Sequence, residues 1–323
     1  CPIESHGIFY QLPVNHYAGS GCPKCYTNKI EEDLLNFLIS LNIKVENHNR
    51  KMIEPLEIDF LVPDFKFGIE HNGLFWHSYG ISSFEIMNNS KDIKKNKHLV
   101  KTIKMEEQGY QLFHIQSIHW NNPIKKEIWK SIINNKLFNS YKIYARKLKM
   151  IDLSNHKTFV KKFLNENHLQ GSCGYKIAYG LCNEKNEVYS IMTFGKSRFD
   201  KNIEYELLRF CNLRYHNVRG AASKLMSGFE KYYKPDSIIS YANRDWSQGN
   251  LYKAIGFKYS HIAEPNYFYI DCNFNIIKRQ QAQKHKLKAF LESKGQVFNE
   301  NLSERDNMIN NGYRIYYDTG NLV

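Results

Sequence analysis

From Thr27 onward the apolar positions Ile30, Leu34, Leu35, Phe37, Leu38 and Leu41 recur at helical spacing, which predicts an amphipathic helix capped by Thr27 or Asn28. The period then changes. Ile58-Asp59-Phe60-Leu61-Val62 and Phe65-Lys66-Phe67-Gly68-Ile69 are short runs rich in aromatic and β-branched residues. Pro63-Asp64 parts them, and together they predict a β-hairpin. Helix is expected over 102–108, stopped by Gly109, then a strand over 110–115 and a helix over 124–137. Past residue 140 a new alternation begins at Tyr144-Ala145-Arg146-Lys147. It predicts a helix at 156–165, strands at 175–182, 187–195 and 205–210, and a helix at 223–233. A basic helix over 278–294 and an edge strand over 312–318 close the chain. Helices alternating with strands predict an α/β (α+β) protein. At 323 residues it divides by pattern into 1–28, 29–140, 141–272 and 273–323.

Against that pattern two carboxylates stand out. Asp59 interrupts the first apolar run, and Glu70 ends the second, before His71-Asn72-Gly73 and Phe75-Trp76-His77. A hairpin turn can bring both to one end, where charge beside buried strands is costly unless something positive compensates it. A divalent metal would do so, and a metal held by acidic groups activates water against phosphodiesters. Strand-end salt bridges are the competing account. Glu31 falls on the inward face of the first helix, three and four residues before Leu34 and Leu35, whereas Glu32 lies towards solvent. An acid on a buried flank asks for a cation, although the helix dipole also favours a glutamate in a first turn.

Composition narrows the partner. A formal net charge of +13 favours a polyanionic partner. The stretch from His77 to Lys101 is polar and basic, with Lys91, Lys94, Lys95 and Lys97 as phosphate contacts alongside Arg50; a solvated helix is the plainer alternative. No apolar run is long enough for a membrane span and no signal peptide is visible. Seven cysteines without an obvious disulfide framework fit a reducing cytoplasm. The chain opens on Cys rather than Met, so a piece of a longer protein is expected.

Residues 1–28 carry Cys1, His6, His16 and the pair Cys22-Pro23-Lys24-Cys25. Such soft ligands at zinc-ribbon spacing predict one structural Zn2+ on Cys1, His6, Cys22 and Cys25, with His16 competing with His6. So small a segment has almost no core, and metal binding would supply its folding energy.

The central motif, Asp59 followed by Glu70, Asn72-Gly73 and Trp76-His77, resembles the EDxHD group of phage homing endonucleases. That group is related to very-short-patch repair (Vsr) endonucleases and to the wider PD-(D/E)xK nuclease fold. The resemblance covers roughly residues 29–138, and the N-terminal Cys/His pattern resembles zinc ribbons found beside phage nucleases. It implies a mixed sheet flanked by helices and Mg2+-dependent cleavage of DNA, with double-stranded DNA as the partner. Asp59 and Glu70 would be the metal ligands, and Glu31 would join the site. Asn72 would occupy the usual lysine position and His77 would be the general acid/base. His98 and Lys101 would stabilise the phosphate. Ser117-Ile118-His119-Trp120 stands where relatives often carry acids, which puts a contribution from that strand end in doubt.

Asn217-Val218-Arg219-Gly220-Ala221-Ala222 and Leu251-Tyr252-Lys253-Ala254-Ile255-Gly256-Phe257 resemble GNAT acyltransferases, and the Mom DNA-modification proteins in particular. Here the resemblance implies a GNAT-like fold over 141–272, with Gly220, Ala221 and Ala222 as a pyrophosphate turn for acetyl-CoA. Asn217 departs from the usual first residue of that turn. The alternative function is therefore acylation of a base or amine, with the nuclease-like region serving only to bind DNA.

Overall fold

The computed structural model describes residues 29–73, 78–79, 95–271 and 275–323, and there the chain is a mixed α/β protein. Helix α1 (Lys29–Ser40) buries Leu34 and Leu38, as its apolar spacing requires. Strands β1 (Glu46–Ile53), β2 (Leu56–Val62) and β3 (Phe67–Asn72) follow, then the short β4 (Ser78–Tyr79), α2 (Lys97–Glu107) and β5 (Gln111–Gln116). The first sheet has the order β1-β2-β3-β5. Its first three strands are antiparallel neighbours, and β5 lies parallel to β3. The β2–β3 connection is a 3-10 turn at Pro63–Phe65, closed by Lys66 in a left-handed conformation.

Helices α3 (Ser117–Asn121) and α4 (Pro123–Lys136) come next. α1 and α4 share one core with the first sheet through Leu34, Leu38, Phe60, Ile69, Phe113 and Trp129. Met105 of α2 packs with Ile58, Leu61 and Leu112 in a second core. Gly68 allows that approach, since a Cβ there would meet Met105 Cε at 2.9 Å. Asn122 caps α4 by accepting from the backbone N–H groups of Ile124 and Lys125. Replacing it with alanine should cost about 1 kcal/mol, measured as a lower denaturation midpoint with an unchanged slope.

The second half begins with β6 (Tyr141–Tyr144), β7 (Lys149–Asp152), α5 (Lys157–Asn167), β8 (Ile177–Cys182), β9 (Val188–Lys196) and β10 (Tyr205–Asn212). It continues through β11 (His216–Arg219), α6 (Ala221–Tyr233) and β12 (Ile238–Ser240). A five-stranded sheet runs β12-β10-β9-β8-β7, antiparallel except for the parallel β10–β12 pair. α6 packs on it through Leu225, Met226 and Phe229, whose ring stacks on Phe194 at 3.7 Å.

The remaining elements are β13 (Ala242–Asn243), α7 (Asn250–Ala254), β14 (Ile262–Ala263), β15 (Tyr267–Ile270), β16 (Ile276–Lys278), α8 (Lys284–Glu292), α9 (Glu304–Asn310), β17 (Arg314–Tyr317) and β18 (Asn321–Leu322). Two expectations change here. The basic helix starts at Lys284, not at 278: Ile277 is buried in a strand, and a 3-10 turn over Arg279–Gln281 intervenes. β17 is an interior strand, in the order β16-β15-β17-β4, because β4 pairs along its other side and Arg314 Nε donates to Ser78 Oγ at 2.8 Å.

The halves interlock. Leu169 and Trp246 belong to the first sheet's core, and Trp246 meets Trp129 edge-on at 6.5 Å. The outer edge of β5 is covered from the second half, where the Asp245 carbonyl accepts from His114 N–H at 2.8 Å. Arg244 pairs with Glu106 of α2, and Tyr215 donates to Glu127 at 2.6 Å. Among the described residues no helix is long and apolar enough to cross a membrane.

Candidate active site

The register of the β2–β3 hairpin pairs Val62 with Phe67, Leu61 with Gly68 and Phe60 with Ile69. One further step sets Asp59 across from Glu70. There the backbone ladder gives way to a side chain, because Asp59 Oδ2 accepts the His71 backbone N–H at 2.7 Å. α2 crosses above, and Lys101 Nζ donates to Glu70 Oε2 at 2.6 Å and to the Glu57 carbonyl at 2.7 Å. Glu70 is only 1 % exposed, and its second oxygen, Oε1, has no hydrogen-bond partner among the described residues. α1 adds Glu31, whose Oε1 lies 3.1 Å from His71 Nδ1.

These groups perturb one another strongly. Burial, then the neighbouring Asp59 charge, pushes Glu70 up to about 8, with Lys101 and Lys97 opposing. Burial also raises Asp59, against the His71 N–H and the Lys101 charge, and Glu31 adds to the rise. Lys97 is held below the usual lysine range by partial burial first and by Lys101 second, while Glu70 and Asp59 oppose that fall. Two hard carboxylates facing each other, one with an orphaned buried oxygen, make a donor set that fits a divalent cation.

No protein-family model matches the chain, and no curated protein is significantly similar to it in sequence.

Glu31, Asp59 and Glu70 come together as the sequence suggested, and Lys101, expected at the phosphate, donates to Glu70. Asn72 does not join them. It is fully buried and its amide nitrogen lies 3.1 Å from His114 Nδ1. His114 Nε2 lies 2.8 Å from Thr102 Oγ1, which in turn donates to the His98 carbonyl. His98 was expected at the phosphate. Instead it is 3 % exposed, its ring stacked on Tyr316 of β17 and edge-on to His114, because the C-terminal sheet closes over this end of α2.

Arg50 was expected to contact DNA and is exposed, but it engages Glu57 at 2.5 Å. Lys95 pairs with Glu264 at 2.5 Å, and among the described residues of that basic group only Lys97 reaches the carboxylates. Gly220 is left-handed and opens α6 beside a cleft of about 410 Å³ that Arg146 and Arg219 also line. Ala221 and Ala222 are buried in the core below. Cys1, His6, His16, Cys22, Cys25, His77, Lys91 and Lys94 lie outside the described residues.

Sequence reasoning passed over three neighbours. His71, set between Glu70 and Asn72, links Asp59 to Glu31. Glu57 and His48 gather with Asp59, ligand atoms within 4.8 Å of one another, as a second group that could hold a metal. Arg50 and then His48 hold the Glu57 carboxyl below its usual range. Glu57-x-Asp59 was legible as one strand face. His48 was not, since it reaches Asp59 only through the β1–β2 register, which pairs Asn47 with Phe60 and Asn49 with Ile58.

Proposed function

We propose that this chain is a divalent-metal-dependent endonuclease that hydrolyses phosphodiester bonds in double-stranded DNA. The observation that carries the proposal is the Asp59–Glu70 pair, a half-buried Asp59 beside a buried Glu70, with Lys101 on one Glu70 oxygen and the other oxygen unpartnered among the described residues. Asp59 and Glu70 Oε1 would hold the ion, most simply Mg2+, which supplies Lewis acidity and a more acidic water when bound. Lys101 and Lys97 place positive charge where the phosphate gains negative charge. Glu31 fixes the His71 ring, and the His71 backbone N–H fixes Asp59. His77 is proposed to move the proton. A structural Zn2+ on Cys1, His6, Cys22 and Cys25 is part of the same proposal; Cys25→Ser should lose a stoichiometric zinc atom by metal analysis.

Supercoiled plasmid incubated with and without Mg2+, and with excess chelator, tests the reading. Nicking or linearisation only with Mg2+ is expected, and an inert protein on varied plasmid and phage DNA would sink it. Lys97→Ala should weaken DNA binding across sequences and reduce the salt slope of log K by roughly 0.9, read by titration at several salt concentrations.

A second reading keeps a specific observation behind it. β10 has a register irregularity between Leu207 and Arg209 beside its parallel partner β12, and Gly220 opens α6 at the Arg146/Arg219 cleft. Backbone N–H groups at a helix start can cradle a phosphate. If 141–272 is an acyltransferase, acetyl-CoA should raise the melting temperature, and Gly220→Asp should abolish the shift. No shift at millimolar acetyl-CoA rejects this second reading.

A further inference from the structure

A cavity of about 1090 Å³ is lined by none of the residues around Asp59 and Glu70. It runs along Ile238, Ile239 and Ser240 of β12, the last strand of the five-stranded sheet, and meets α7, the segment 257–262 and the C-terminal residues 322–323. Its volume suits a small organic molecule. Ile238, Tyr252, Phe257, Tyr259, Ile262 and Leu322 make much of the wall apolar. Its charges do not balance. Glu106 is matched by Arg244, and Lys253 and Lys258 outnumber Asp200, none of the three in an ion pair among the described residues. Arg244 makes the sharper demand. It lines the cavity while only 2 % exposed, and one terminal nitrogen is taken by Glu106.

We propose that this cavity binds a small organic anion: an apolar or aromatic body bearing one carboxylate or phosphate, with Arg244 as the buried donor and Lys253 and Lys258 as the counter-charges. The aromatic walls take the body, and charge-assisted hydrogen bonds take the head. The site is independent of the carboxylate pair, and its occupancy is read by binding rather than by cleavage.

Calorimetry on the full chain with four naphthalene probes and inorganic phosphate tests it. Naphthoate and naphthyl phosphate carry the anion in its two forms; naphthamide and naphthol are their neutral counterparts. At least one anionic probe should saturate a single site, and the tighter of the two identifies the head group. Its neutral counterpart should bind at least about tenfold more weakly, and bare phosphate should not saturate. Lys253 and Lys258 are exposed, so Lys253→Ala/Lys258→Ala should keep the parental melting temperature while raising Kd about tenfold. Failure of both anions to saturate at millimolar concentration overturns the proposal. Equal affinity for the neutral probes, or an unchanged Kd in the double variant, does the same.

Discussion

Asp59→Asn should cut DNA cleavage by roughly a thousandfold while leaving the fold intact, the scale seen when one charge-stabilising group is removed from an active site. Asp59 does two things. Its Oδ2 accepts the His71 N–H, and an asparagine carbonyl oxygen can accept that bond equally well. Its charge, held in a half-buried place, is what a metal and a phosphate would meet, and asparagine lacks it. Melting temperature should therefore hold steady or rise, because a poorly solvated charge has gone. DNA binding should survive, since one fewer carboxylate faces phosphates. Glu70→Gln should act alike. The control is Asp64→Asn, a turn carboxylate with no assigned role, which should cleave normally. Cleavage at the parental rate by both Asp59→Asn and Glu70→Gln would falsify the nuclease proposal.

Lys101→Met should lower stability by about 3–5 kcal/mol in alkaline buffer, the usual cost of breaking a buried ion pair from one side. Glu70 then keeps a buried carboxyl with no cation on either oxygen. The loss should depend on pH in a defined direction. Glu70 already stands raised, at about 8, so its proton is bound more tightly folded than unfolded. The stability due to that group is fully present below its ordinary carboxylate range and is lost as pH rises through about 8. Removing Lys101 pushes the carboxyl higher still. The variant should thus suffer little near pH 5 and most near pH 9, as denaturation midpoints would show. Adding Glu70→Gln to Lys101→Met should recover most of the loss, since no charge is then buried alone. A double variant as unstable as Lys101→Met by itself would mean that Lys101 acts through packing and its bond to the Glu57 carbonyl.

The hairpin shows how local pattern and tertiary contact divide the work. Its two apolar runs and the Pro63-Asp64 turn were legible because period-2 burial and turn chemistry act within a dozen residues. The opposition of Asp59 and Glu70 followed from the turn, since antiparallel register is set once the turn is set. Glu31 was legible on weaker grounds, as an acid on an inward helix flank, and it meets His71. Asn72 and His98 were misjudged for one reason. Both flank the motif in sequence, yet each is turned into a buried network with His114, Thr102 and Tyr316 that local spacing does not reveal.

By itself the sequence determined the mixed α/β class, the amphipathic first helix, the carboxylate hairpin and the basic balance of the chain, all of which depend on period, turn residues and charge. Only the tertiary structure decided that Lys101 and Lys97 reach those carboxylates while Arg50 and Lys95 are drawn into other ion pairs. It also decided that β17 is interior, that Asp245 closes the β5 edge, and that a walled cavity forms over β12. Each of these joins residues far apart in the chain. Which distant strand satisfies an open edge, and which cation reaches a buried acid, depends on how whole elements pack, and no local spacing encodes it.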